Sequence, residues 1–174
     1  MTAKIFMARL ANGQADVVQQ FLDLLNDMKI DYCVIGGLAV NAYVEPVVSL
    51  DLDLVVTVEA IDRLVKAAGK HFTIKKFPHR LNLKSAQSEL RIQLQTDARY
   101  QAFISNASLK NVMGYQMKVA ALDDILQGKI WAYADSERRK SKRQKDLADI
   151  LRLVEAYPQL EERLPDSIKN QIRD

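Results

Sequence analysis

The chain has 174 residues, 48% of them hydrophobic and 27% charged, with a formal net charge of +3. That composition belongs to an ordinary globular protein of one domain, or a core with a short helical appendage. A balance so close to neutral does not by itself mark a partner for nucleic acid or membrane. No apolar run approaches the roughly 18 residues that a membrane span needs. The first ten residues are short and interrupted by Arg9, unlike a secretory signal, so a cytoplasmic protein is expected. The single cysteine, Cys33, sits in an apolar stretch and is expected to be a buried, reduced thiol.

In chain order, Val17, Val18, Phe21, Leu22, Leu25 and Met28 form a helical stripe within 16–29, with Asp16 at its start. Residues 32–35 read as a strand, 38–43 as a helix ended by Glu45-Pro46, and 50–57 as a second strand. A helix over 59–70 and strands over 72–77, 80–84 and 89–95 follow, the last two alternating apolar with polar residues. Residues 100–107 look helical, and 109–119 form a hairpin turning near Gly114. Helices over 122–134 and 137–157 close the chain, with a short one after Pro158. Strands followed by helices predict an α+β fold.

The stretch that organises the chain is Val34 to Val56. An apolar strand runs into Gly36-Gly37, a short helix follows, and the next strand reads Leu50-Asp51-Leu52-Asp53-Leu54. Side chains alternate along a strand, so Asp51 and Asp53 share one face and the leucines the other. Two carboxylates side by side repel unless a cation sits between them, and a hard divalent ion such as Mg²⁺ suits oxygen ligands. Glycines without Cβ let a phosphate approach the backbone closely. Together these features point to phosphoryl or nucleotidyl transfer.

Gly36-Gly37 followed about a dozen residues later by Asp51-Leu52-Asp53 resembles the signature of the DNA polymerase β-like nucleotidyltransferase superfamily. Within it, the small bacterial proteins that include the AbiEii toxins look most similar, through Lys129 and the Lys145-Asp146-Leu147-Ala148-Asp149 run. The resemblance implies a nucleotidyltransferase core over 1–120, on a mixed sheet, with a helical region over 121–174 closing the cleft. It implies a nucleoside triphosphate as substrate, Mg²⁺ or Mn²⁺ held by Asp51 and Asp53, and phosphate contacts from Gly36, Gly37 and Lys129. The acceptor would be an RNA such as tRNA, a protein hydroxyl or a small molecule, and a role in a toxin–antitoxin pair is open.

Relatives of that kind carry a third acid on a later strand. Here the corresponding segment is Glu89 to Asp97, where Gln93 or Gln95 is expected at the acid's place. An amide oxygen can ligate a metal but cannot act as a base near neutral pH. Three alternatives are open: Glu89 or Asp97 replaces it from a shifted register, the two aspartates suffice, or the protein binds nucleotide without turnover. Residues 138–145 hold six cations in eight positions, including Arg139 and Lys145. Such a run is a solvated helix face or, in part, a phosphate-binding wall. Trp131 and Tyr133 fit a core better than a stacking platform. His71 and His79 lack partners at zinc-ligand spacing.

Overall fold

Alternating apolar segments build a seven-stranded mixed sheet that presents one polar face. The computed structural model describes residues 2–13 and 15–173; Met1 and Asp174, the ends of the two expected regions, lie outside the described residues. The strands are β1 (Tyr32–Ile35), β2 (Asp51–Val56), β3 (Thr73–Phe77), β4 (Arg80–Lys84), β5 (Arg91–Gln95), β6 (Ser108–Val112) and β7 (Tyr115–Val119). Their spatial order is β3-β4-β5-β2-β1-β7-β6. β2 runs antiparallel to β1 and parallel to β5, while β7 runs parallel to β1. The β6–β7 turn falls on Met113 (φ 53°) and Gly114 (φ 92°). Two successive positive φ values match the twist of a tight hairpin, and glycine reaches them without strain.

The α-helices are α1 (Ala3–Leu10), α2 (Val17–Asp27), α3 (Gly36–Val40), α4 (Ile61–Ala68), α5 (Leu122–Ala134), α6 (Lys140–Ala156) and α7 (Asp166–Ile172). Asp16 caps α2, its carboxylate accepting the Gln19 N–H at 3.1 Å. The expected stripe is buried through Val17, Val18, Phe21, Leu22 and Leu25, each fully buried side chain contributing about 1.5–3 kcal/mol. Helix α1 was not foreseen; Thr2 starts it by accepting the Ile5 N–H. The stretch 98–106 is a 3₁₀ helix, and α6 begins three residues later than expected. The delay has a local cause: Asp135 closes a turn, its carboxylate taking the Glu137 N–H and its carbonyl the Arg138 N–H.

Leu52 and Leu54 are fully buried beneath β2, as is Cys33 in β1, whose thiol burial pushes up to about 12. Helix α5 packs on α6, and α3 contacts both. Among the described residues, no helix is long and apolar enough to cross a membrane.

Candidate functional site

The polar faces of β2, β5 and β4, the helix α5 and the segment entering α6 enclose a cavity of about 390 Å³. Asp51 and Asp53 both line it, as the alternation along β2 requires. Gly36, the first residue of α3 directly after β1, has φ +74°, and the Asp53 carboxylate occupies the space where a Cβ on Gly36 would stand. The glycine therefore serves first to seat a carboxylate. Gly37 does not line the cavity; a Cβ there would meet the Ser49 hydroxyl at 3.4 Å.

Strand register fixes the neighbours. Asp51 lies beside Arg91, and Asp53 beside Gln93, with Asn82 next across the sheet. Gln93 and Gln95 both line the cavity, and Gln93 is the one level with Asp53. Neither alternative acid reaches the site. Glu89 is exposed outside the cavity lining. Asp97 caps the 98–106 helix and pairs with Arg99 at 2.8 Å. Of the two, Asp97 is engaged by Arg99 and Glu89 is exposed, so neither stands beside Asp51 and Asp53.

Asp51 holds two cations. Its Oδ1 is 2.7 Å from Arg91 Nε and its Oδ2 is 3.3 Å from Lys142 Nζ. Burial would raise its pKa, but Lys142 and Arg91 outweigh burial and lower it. Asp53 behaves oppositely. Burial first, and then the charge of Asp51, push it up to about 6, against the pull of Lys129, Arg138 and Lys142.

Lys129 faces the cavity, yet its ammonium is buried in a carboxylate pair, 3.1 Å from Asp146 Oδ1 and 2.7 Å from Asp149 Oδ2. Burial would lower its pKa, but the two carboxylates more than reverse that. The expected free phosphate ligand is thus a charged group already engaged by α6. Asp146 also takes Arg138 Nε at 2.6 Å, and Asp149 takes Arg152 at 2.9 Å. Arg152 reaches on to the Glu45 carbonyl, tying α6 to the loop after α3.

The basic run divides by geometry. Arg138, Arg139 and Lys142 line the cavity, whereas Lys145 is exposed and does not. Arg143 donates to the Tyr133 carbonyl at 2.7 Å. Trp131 stacks on Phe103 with centroids 5.7 Å apart, and Arg99 lies over its ring at 4.8 Å. Its ring is part of the packing, as expected of a core residue. The sequence reading missed the Arg91 and Lys142 contacts with Asp51. Both residues were visible on polar faces, but only the parallel β2–β5 register and the fold of α6 reveal their partner.

The two carboxylates are hard-oxygen donors of the kind Mg²⁺ or Mn²⁺ takes, and Gln93 is level with Asp53. Among the described residues no group of three His, Cys, Asp or Glu side chains could hold a metal, so the fit rests on the two aspartates.

Solved structures of similar shape share this arrangement of sheet and helices. ANT(2")-Ia in complex with adenylyl-2"-tobramycin superposes with a TM-score of 0.62 at 14% identity, over 89% of this chain and 96% of that one. The lincosamide antibiotic adenylyltransferase LnuA, lincomycin-bound, gives 0.57 at 13%, over 82% and 99%. The chain has the nucleotidyltransferase fold. An antigenic nucleotidyltransferase-like protein from Paracoccidioides brasiliensis also carries it, with a TM-score of 0.51 at 19% identity, over 88% and 75% of the two chains. No protein-family model and no curated protein sequence matches the chain. The likeness lies in the nucleotidyltransferase architecture.

Proposed function

We propose that this protein transfers a nucleoside monophosphate from a nucleoside triphosphate to a hydroxyl acceptor, with pyrophosphate leaving. The observation that carries the reading is the carboxylate pair Asp51 and Asp53 in the cavity, seated against a glycine directly after β1. Asp51 and Asp53 would hold Mg²⁺ or Mn²⁺, which when bound supplies charge neutralisation and Lewis acidity to the triphosphate. Arg138, Arg139 and Lys142 offer cationic groups at the wall for phosphate oxygens. Gly36 exposes backbone to the same space, with Gly37 setting the turn behind it. Lys129 acts by fixing Asp146 and α6, since its own charge is engaged.

Gln93, level with Asp53, orients an acceptor hydroxyl through its amide oxygen but cannot take the proton. The proton passes to solvent, and turnover is accordingly slow. The basic run at 138–145 favours a negatively charged acceptor, RNA such as tRNA ahead of a protein or a small molecule. The antibiotic-modifying neighbours supply precedent for small hydroxyl acceptors. Regions 1–120 and 121–174 form one working unit around the cavity, in the cytoplasm. The Lys129-to-Asp149 stretch supports placement near the AbiEii-like branch, and with it a toxin–antitoxin role.

A second reading rests on Gln93 beside Asp53: a protein that binds metal-bound nucleotide without turning it over. One experiment separates the two. The protein is incubated with each of the four α-labelled nucleoside triphosphates, Mn²⁺, bacterial RNA and lysate protein, beside an Asp51→Ala/Asp53→Ala control. Label on an acceptor, lost in the control, supports the transferase. Nucleotide binding without label transfer supports the binder.

A further inference from the structure

Lys142, one of the wall cations available to phosphate, is engaged by a carboxylate. It stands in the first turn of α6, yet its Nζ reaches Asp51 Oδ2, 91 residues away in sequence, at 3.3 Å. Arg91 takes the other oxygen at 2.7 Å. Both oxygens of the Asp51 carboxylate are therefore already engaged by protein cations. Arg91 and Lys142 balance Asp51, and Arg138 and Arg139 line the same cavity.

This balance matters for the order in which ligands enter. A bare divalent ion arriving at Asp51 must compete with two fixed cations and would leave the cavity strongly positive. A metal–triphosphate complex is a net anion. It offers Lys142 phosphate oxygens in exchange for Asp51, so that no cation is left without a partner. Arg91 holds Asp51 from the neighbouring strand at the closer distance, 2.7 Å against 3.3 Å for Lys142. Lys142, in the longer contact and on a flexible four-carbon stem, is the cation able to exchange partners.

We infer that Lys142 is a specificity-determining counter-ion that excludes free divalent metal from Asp51 and admits it only together with the nucleoside triphosphate. The inference rests on the proposed nucleotide reading and adds to it an obligatory joint loading of metal and nucleotide.

The test is Mn²⁺ binding followed by electron paramagnetic resonance, without nucleotide and with each of the four nucleoside triphosphates in turn. Wild type is compared with Lys142→Met, Lys142→Gln and Lys142→Arg, each checked for native circular dichroism. The expected result is a pair of opposite changes. Lys142→Met and Lys142→Gln bind Mn²⁺ alone roughly tenfold more tightly, and bind Mn²⁺ with nucleotide less tightly by a similar factor, the scale of one charge-assisted contact. Lys142→Arg stays near wild type. A merely structural role would weaken both kinds of binding together. If neutral variants bind free Mn²⁺ no more tightly than wild type, the inference is overturned while the nucleotide reading stands. If wild type binds Mn²⁺ with none of the four nucleotides, the nucleotide reading falls and the inference falls with it.

Discussion

The Asp53 carboxylate fills the space that a side chain on Gly36 would need. Gly36→Ala would place a methyl group there, at a φ of +74° that L-residues rarely adopt. The variant should lose about 1–3 kcal/mol of stability and displace Asp53 from the cavity. Urea denaturation measures the first effect, and loss of Mn²⁺-dependent nucleotide binding the second. Gly37→Ala, whose Cβ would meet the Ser49 hydroxyl at an ordinary 3.4 Å, should be much milder on both counts.

Neutralising the two aspartates should have opposite effects on stability. Asp51 is paired with Arg91 and Lys142, so Asp51→Asn should cost about 1 kcal/mol at pH 8, given that both cations are partly exposed. Asp53 is half-buried beside a like charge, and Asp53→Asn should stabilise the protein at that pH. The sign with pH follows from its pKa, raised from 3.8 to about 6. The folded state holds the Asp53 proton more tightly than the unfolded chain. Its contribution is fully present below about pH 4 and is lost as pH rises through about 6, at most about 3 kcal/mol. Urea midpoints from pH 4 to pH 8 should fall more steeply for wild type than for Asp53→Asn.

Much of this arrangement was legible in the sequence, and the limits of that legibility are physical. Alternation fixes which face of a strand a residue occupies, so Asp51 and Asp53 could be paired from the sequence; the α+β class followed from strands succeeded by helices, and the mixed sheet from the family resemblance. The bounds of β1, β4 and α5 coincide with those expected from local pattern. What alternation cannot give is register between strands distant in sequence. Arg91 therefore looked like one polar residue among several, and Gln93 could not be separated from Gln95 as the neighbour of Asp53. Lys142 was one of six clustered cations, indistinguishable until the fold of α6 carried it to Asp51. Lys129 looked free for the same reason: its partners, Asp146 and Asp149, lie on the next helix.

Lys129→Met should be among the most damaging substitutions. It leaves Asp146 and Asp149 buried with one partner fewer, although Arg138 and Arg152 remain. The expected loss is about 3 kcal/mol, the low end for breaking a buried ion pair, measured by chemical denaturation. A loss below 1 kcal/mol would show that the pair is not closed in solution.

Gln93→Asp would install a carboxylate level with Asp53, where it could accept the acceptor's proton. If the absent base limits turnover, the rate of monophosphate transfer should rise on the order of a hundredfold. Single-turnover transfer from α-labelled nucleotide measures it, with Gln95→Asp as the comparison expected to change little. Equal rates in wild type and Gln93→Asp would mean that proton removal is not limiting.

The central claim is that the bond broken lies between the α- and β-phosphates. The decisive measurement runs parallel reactions with α-labelled and γ-labelled nucleoside triphosphate in the presence of Mn²⁺ and the acceptor mixture. The account predicts label on acceptor from the α position only, pyrophosphate carrying the γ label, and neither product from Asp51→Ala/Asp53→Ala. Transfer of the γ label would make the protein a kinase and contradict the account. Absence of both products with wild type would contradict it equally.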